Sequence, residues 1–173
     1  MQRLFFSLKF SPRQQQRLLP YQQQALSVCP AAKAIASDNL HLTLFFLGQV
    51  DKEQRQRLIN CAAQINTPAF QLTLDHLGCF AKPKIVYLAP SQIPDALLQL
   101  QQQVAQWCKA EGFNDIHDKY RPHITLARHA VCDAAFKPPV APLTLNITEF
   151  ALYQSAQFDG RVQYRPLQHF ALS

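Results

Sequence analysis

Two copies of one four-residue pattern organise this chain. Residues 41–44 read His-Leu-Thr-Leu, and residues 123–126 read His-Ile-Thr-Leu. The chain has six histidines, and shuffling its composition yields about 0.2 matches to His-x-Thr, whereas two occur. A single copy is typical of a half-buried strand with one histidine on its polar face. The matched pair indicates two strands that contribute to one site.

The spacing within each copy defines a shared face. Successive side chains of a β-strand point to opposite faces, so residues i and i+2 lie on the same one. His41, Thr43 and Phe45 therefore share a face on the first strand, and His123 shares one with Thr125 on the second. Each strand is predicted to bury its aliphatic face and to present an imidazole beside a hydroxyl.

These side chains suit acid–base chemistry on a phosphodiester. Histidine has an ordinary pKa of about 6.5, so one ring can act as the base while the other is protonated as the acid. The hydroxyls of Thr43 and Thr125 can donate to phosphate oxygens, and Arg128 can oppose the negative charge that grows during attack. Arg128 has the wrong parity for the histidine face unless the strand ends or bulges near Ala127. Phe45 is equally suited to stacking on a nucleobase and to core packing.

The chemistry of these residues requires no metal or other cofactor, and the competing motifs are missing from the sequence. The chain has only four glycines and lacks the G-x-S-x-G, P-loop, G-x-G-x-x-G and H-E-x-x-H patterns. Five cysteines without a C-x-x-C pair predict that most are reduced core residues of a cytoplasmic protein, without a disulfide framework or a structural zinc site. A net charge of +6 favours acidic partners such as RNA.

The length of 173 residues fits one domain, and the order of predicted elements favours an α+β fold. Ser11 and Pro12 begin a helix that Pro20 kinks or divides. A second helix follows Asp51, and a third covers about 94–110 with Trp107 facing inward. Strands are predicted at each motif and, among other places, over 70–80 and 143–153. No segment is apolar for the 18 residues that a membrane span needs, and the chain is expected to be monomeric.

The residues around both motifs resemble the two-histidine (2H) phosphoesterases, in particular the bacterial RNA 2',3'-cyclic phosphodiesterases, also called 2'-5' RNA ligases. Residues 38–48 are similar to the first signature of that family, and residues 122–126 with Arg128 are similar to the second. The segments 3–6, 150–155 and 164–167 resemble its opening and closing strands, so the resemblance covers nearly the whole chain.

The resemblance implies two pseudo-symmetric lobes with antiparallel sheets around a central cleft, in one domain over residues 1–173. It implies hydrolysis of a terminal 2',3'-cyclic phosphate on RNA to a 2'-phosphate. His41 would protonate the leaving 3'-oxygen, His123 would activate water, and Thr43 and Thr125 would hold phosphate oxygens. Reversal of the reaction would join a 5'-hydroxyl to the cyclic phosphate through a 2'-5' linkage.

Two other functions are compatible with the same residues. The site can act on a small nucleotide such as ADP-ribose 1'',2''-cyclic phosphate instead of RNA. The basic surface and the aromatic residues can also serve a non-catalytic RNA-binding module.

Overall fold

The computed structural model describes residues 1–133 and 136–173 and builds them from short helices and antiparallel strands. In chain order the strands are β1 (Gln2–Leu8), β2 (Lys33–Ala34), β3 (Leu42–Val50), β4 (Phe70–Leu74), β5 (His76–Phe80), β6 (Ile85–Ala89), β7 (Ile124–Arg128), β8 (Leu143–Ile147), β9 (Glu149–Phe158) and β10 (Arg161–Ala171). The helices are α1 (Pro12–Arg17), α2 (Leu19–Val28), α3 (Lys52–Ala62) and α4 (Asp95–Ala110).

One large sheet carries both motif strands. Its strand order is β10-β9-β1-β3-β7-β6-β5, and β2 pairs with β7 as well. The motif strands β3 and β7 meet in one residue pair, Leu42 with Ile124, whereas β1–β3 and β6–β7 pair over longer stretches. The sheet is therefore two halves that join at the motifs. The α+β class with antiparallel sheets, predicted from the sequence, is confirmed.

The helices begin where the sequence predicts. Ser11 caps α1 through reciprocal hydrogen bonds with Gln14, and Asp51 caps α3 in the same way with Gln54. Pro20 lies in the first turn of α2, where its missing N–H costs little, so the predicted helix is divided into α1 and α2.

Helix α4 packs against β3 through a stripe that includes Leu97, Val104 and Cys108. Trp107 lies to one side of this stripe and is 38% exposed, so the prediction that it faces inward is wrong. Along the part of the chain that the structure describes, no helix combines the length and apolarity needed to cross a membrane.

Two segments predicted as single strands are each divided between two sheets. Residues 70–80 form β4 and β5, and residues 143–153 form β8 and the start of β9; β4 and β8 pair as a separate ribbon. At the first break, the Asp75 carboxylate accepts hydrogen bonds from the backbone N–H and the hydroxyl of Ser91, at 2.8 and 2.6 Å. At the second, the Thr148 carbonyl accepts from the Leu172 N–H at 2.8 Å. These partners turn the chain out of the ribbon and into the large sheet.

One pair of cysteines departs from the reduced state that the sequence predicts for most of them. Cys79 on β5 and Cys132 after β7 form a disulfide, with Cα atoms 6.4 Å apart and a sequence separation of 53 residues. The pairing of β5, β6 and β7 brings the two together, which their sequence spacing does not reveal. The other three cysteines, Cys29, Cys61 and Cys108, are free thiols.

Candidate active site

The two motifs meet at the centre of the large sheet. Leu42 and Ile124 pair across β3 and β7, and both side chains are fully buried. Because the strands are antiparallel, this register sets each motif histidine opposite the threonine of the other motif. Directly opposed residues of a strand pair present their side chains on one face, about 4.5–5.5 Å apart at Cβ. The register therefore gathers two imidazoles and two hydroxyls around a pseudo-twofold axis.

Both histidines make the same backbone hydrogen bond. Nδ1 of His41 lies 2.8 Å from the Asn39 carbonyl oxygen, and Nδ1 of His123 lies 2.7 Å from the Arg121 carbonyl oxygen. A carbonyl oxygen only accepts hydrogen bonds, so each Nδ1 carries a proton and donates it. In the neutral ring this leaves Nε2 without a proton, ready to exchange one with a ligand.

His41 is held by two aromatic rings and by a braced backbone. Its ring centroid lies 5.0 Å from that of Phe5 and 4.9 Å from that of Tyr164, which meets it edge-on. The Asn39 side chain donates to the Val162 carbonyl and accepts from the Tyr164 N–H. Asn39 therefore fixes both the carbonyl that orients His41 and the strand that carries its aromatic neighbour.

His123 has an equivalent pair of aromatic neighbours. Its ring centroid lies 5.2 Å from that of Phe80 and 5.6 Å from that of Tyr87, and both meet it edge-on. Phe80 and Tyr87 stack on each other at 4.3 Å. A Cβ at Gly78 would overlap the Tyr87 ring, so the absence of a side chain there is what admits the ring.

A β-bulge brings Arg128 to the histidine face. Thr125 pairs with Tyr87, but Ala127 pairs with the residue before Tyr87, so Leu126 is an extra residue in β7. An extra residue reverses the alternation of the residues after it. Arg128, which has the wrong parity in a regular strand, therefore lies on the same face as Thr125, and its side chain is exposed.

A corresponding bulge in β3 overturns the prediction that Phe45 shares a face with Thr43. Thr43 and Phe45 pair with two consecutive residues of β1, so Leu44 is the extra residue. Phe45 turns into the hydrophobic core and is 3% exposed, so it cannot stack on a nucleobase. Phe46 takes its place on the Thr43 face, with the Arg3 guanidinium 5.0 Å from its ring centroid.

Buried glutamines hold both bulges. Nε2 of Gln101 on α4 donates to the Leu44 carbonyl at 3.4 Å, and Nε2 of Gln22 on α2 donates to the Leu126 carbonyl at 2.8 Å. Both glutamines are 7% exposed. A bulge releases backbone groups from the strand ladder, and these groups need other partners when they are buried. The pseudo-twofold relation therefore extends from the motifs to the helices behind them.

The electrostatics of the site favour neutral imidazoles. Burial lowers the pKa of His41 to about 4; the hydrogen bond to Asn39 opposes this shift, and the charges of His123 and Arg128 add to it. Burial also lowers the pKa of His123, its backbone hydrogen bond opposes the shift, and the charges of His117 and Arg128 add to it. Both histidine pKa values thus respond to Arg128, which agrees with its position on the shared face.

The low pKa of His41 predicts a loss of stability in acid. In the unfolded chain this pKa returns to about 6.5, so the unfolded state binds the proton first as the pH falls. Above pH 6.5, His41 should leave the free energy of unfolding independent of pH. As the pH is lowered to about 4, its protonation in the unfolded state should reduce the free energy of unfolding by about 3 kcal/mol. Denaturant unfolding across this pH range measures the effect. The variant His41→Gln should lack the His41 contribution to the loss of stability in acid. An equal acid loss in the variant would place the cause elsewhere.

A family model described as the 2'-5' RNA ligase superfamily matches residues 23–158. This chain belongs to the 2'-5' RNA ligase superfamily. The matched range contains both motifs, both bulges and the aromatic neighbours of His123.

Similar proteins within the superfamily include curated enzymes and solved structures. The RNA 2',3'-cyclic phosphodiesterase of Escherichia coli (strain K12) is 35% identical over 173 residues, which cover 99% of this chain and 97% of that protein. The enzyme of the same name from Thermotoga maritima is 30% identical over 131 residues, 70% of this chain and 69% of that one. The crystal structure of E. coli LigT complexed with 3'-AMP matches with a TM-score of 0.90 and 34% identity, covering 99% and 98% of the two chains.

The residues that hold this candidate site were not predicted from the sequence. Apart from Asn39, which lies just before the first motif, they come from β1, β5, β6, β10 and two helices, and no spacing pattern connects them to the motifs. The set comprises Phe5, Gln22, Asn39, Phe80, Tyr87, Gln101 and Tyr164. One signal was available in the sequence, namely a glutamine on the core-facing side of a helix. Recognising it requires knowing which face of each helix packs against the core.

A groove of about 340 Å³ adjoins one side of this candidate site. Its lining includes His123, Phe80 and Tyr87, together with Ile93 and the segment 119–122. A second groove, of about 320 Å³, lies between α3 and β10 and contains neither motif. Across residues 1–133 and 136–173, no three His, Cys, Asp or Glu side chains cluster as metal ligands do.

Proposed function

We propose that this chain is an RNA 2',3'-cyclic phosphodiesterase that opens a terminal cyclic phosphate to a 2'-phosphate. The observation that carries the proposal is the Leu42–Ile124 pair, which gathers both motifs on one face of the sheet. The hydrogen bonds from each Nδ1 then leave two Nε2 atoms for proton transfer. Relatives that bear this enzyme name, one of them 35% identical over nearly the whole chain, support the substrate class.

The proposed reaction has two proton transfers, one from water to His123 and one from His41 to the leaving 3'-oxygen. Nε2 of His123 takes a proton from water as the water oxygen attacks phosphorus, and the bond from phosphorus to the 3'-oxygen breaks. Nε2 of protonated His41 gives its proton to that oxygen. Each correctly placed proton-transfer group typically contributes about 10²–10⁴ in rate. The bound phosphate anion favours protonation of His41 and so offsets the low pKa of the free protein.

The threonines and Arg128 stabilise charge rather than move protons. The hydroxyls of Thr43 and Thr125 donate to the two non-bridging oxygens, and the Arg128 guanidinium opposes the added negative charge in the transition state. Run with a 5'-hydroxyl in place of water, the same acid–base pair forms a 2'-5' diester. No step requires a metal ion. The cytoplasmic location and the monomeric state expected from the sequence stay predictions.

The decisive experiment is incubation with an oligoribonucleotide that ends in a 2',3'-cyclic phosphate. We expect a product with a 2'-phosphate and a free 3'-hydroxyl, formed at the same rate with and without EDTA. A 3'-phosphate product would contradict the assignment of His41 as the donor, and loss of rate in EDTA would contradict metal independence.

The other candidate functions give different results in the same assay. Turnover of a cyclic mononucleotide or of ADP-ribose 1'',2''-cyclic phosphate much faster than of any oligonucleotide would assign a small-molecule substrate. RNA binding that survives replacement of both histidines, with no product from any cyclic phosphate, would identify a binding module.

A further inference from the structure

A disulfide lies directly behind the aromatic wall of His123, which consists of the stacked rings of Phe80 and Tyr87. Cys79 precedes Phe80 on β5, and the Phe80 ring centroid lies 4.3 Å from that of Tyr87 and 5.2 Å from that of His123. Successive residues of a strand point to opposite faces, so Cys79 projects away from the face that carries Phe80. The bond therefore fixes the backbone of this wall from the side opposite the candidate site.

The other half of the disulfide comes from the segment that follows Arg128. Strand β7 ends at Arg128, His129 has a left-handed backbone with a φ of 56°, and the chain reaches Cys132 three residues later. This segment is anchored beside β6, because the Ala130 N–H donates to the Lys84 carbonyl at 2.9 Å. The disulfide thus connects β5, across β6, to the segment that leaves β7.

The end of β5 depends on this connection. Strand β5 is the outermost strand of the large sheet, with β6 as its neighbour. Phe80 is the last residue of β5 and pairs with Ile85, where the hairpin passes into a turn. The ends of edge elements open locally at a low cost in free energy. Opening the disulfide therefore allows Phe80 to leave Tyr87, and His123 then loses one of its two aromatic neighbours.

The cysteine pair is accessible to thiol reagents. Cys79 and Cys132 are both partly exposed. The turn after Cys79 carries Lys82 and Lys84, which are exposed and whose positive charge favours the approach of an anionic thiol such as glutathione. Thiols that are buried react slowly, because the reactive form is the thiolate. Burial raises the pKa of the free thiols of Cys29, Cys61 and Cys108.

We propose that Cys79 and Cys132 form a reversible redox site that regulates hydrolysis at His123, an inference that rests on the proposed function. In the cytoplasm, where the sequence predicts this chain to be, disulfides are typically transient or redox-sensing. The reactant is a small thiol with its disulfide, such as reduced and oxidised glutathione. One cysteine thiolate attacks oxidised glutathione and releases a glutathione thiolate; the second attacks the mixed disulfide and releases the other. Two electrons and the two cysteine protons pass to glutathione, and excess reduced glutathione reverses both steps.

The test compares the full-length protein in oxidised and in reduced glutathione. The state of the bond is read from the mass of the protein after alkylation of its free thiols. We expect reduction to lower kcat for an oligonucleotide with a 2',3'-cyclic end about tenfold, within the roughly 100-fold that a small misplacement in a site can cost, and reoxidation to restore it. Cys132→Ser should keep the lower rate in both buffers. Cys61→Ser, which changes a half-buried free thiol on α3, should respond as the wild type does.

Two further measurements show whether the bond acts through the aromatic wall. Phe80→Leu removes the ring that the bond positions, so its oxidised and reduced forms should hydrolyse at the same rate. In NMR spectra, the ring resonances of His123 should move on reduction. Those of His41 should stay, because its aromatic neighbours are Phe5 and Tyr164. A disulfide that only stabilises the fold would change the melting temperature and leave both sets of resonances in place.

The outcomes distinguish this inference from the function on which it rests. The redox site is wrong if excess reduced glutathione leaves the bond closed in the folded protein, or if oxidised glutathione leaves both thiols free. The regulation is wrong if the rate and the His123 resonances are the same in both states, or if Phe80→Leu still responds tenfold. If no cyclic phosphate is hydrolysed in either state, the proposed function has failed, and the His123 resonances alone decide whether the bond acts on this ring.

Discussion

Replacing His41 or His123 with alanine is expected to lower kcat for cyclic phosphate hydrolysis by at least about 10²–10⁴-fold. Each ring supplies an Nε2 to the shared face, and no second titratable group of the motifs can replace it. The loss of kcat in the double variant should be smaller than the product of the two single losses, because the effects of residues that act as one unit are not additive. Single-turnover hydrolysis of a cyclic-ended oligonucleotide measures all three variants.

The controls must show that the fold survives. Both histidines are half-buried and not core residues, so thermal unfolding should remain cooperative in each alanine variant. His169→Ala removes an exposed histidine on β10 that lies beside Glu149, and it should hydrolyse at the wild-type rate. Full activity in either His41→Ala or His123→Ala would reject acid–base catalysis by this pair.

The local periodicity of the motifs was sufficient to predict the strands. A period of two depends only on the chain itself, so the sequence indicates a strand at each motif. Strands β3 and β7 confirm this, and each begins one residue after the motif histidine. The capping boxes at Ser11 and Asp51 are likewise local, and both helices begin there. The pairing of the motif strands is not local. The repeat predicted only that the two strands contribute to one site.

The bulges could not be predicted, because their cause lies on other elements. At Leu44 and Leu126 a glutamine from the helix behind each strand donates to the carbonyl, and the Leu126 carbonyl also accepts from the Ile35 N–H. Nothing in the motif letters specifies that partner. Phe45 was therefore assigned to the wrong face, while the position of Arg128 depended on a bulge that the sequence left open. The aromatic walls and the Cys79–Cys132 pair were missed for the same reason, since they join strands that are distant in the sequence.

Arg128→Ala is expected to lower kcat by about 10²–10³-fold, the usual cost of removing one preorganised group that faces developing charge. The bulge at Leu126 places this guanidinium on the face of Thr125. Arg128→Lys keeps the charge but loses the planar fork that matches two phosphate oxygens, so it should recover only part of the rate. Arg161→Ala, an exposed arginine at the start of β10, is the matched control and should be neutral.

The same variants have a second, independent readout in the pKa of His41. The charge of Arg128 helps to hold this pKa low, so Arg128→Ala should raise it and Arg128→Lys should not. Titration of the His41 ring by NMR in the ligand-free protein measures the change. A slow Arg128→Ala variant whose His41 pKa stays at its wild-type value would mean that the arginine acts from outside the shared face. A raised pKa together with the slow rate requires Arg128 to lie near both the imidazole and the phosphate, which a regular strand does not allow.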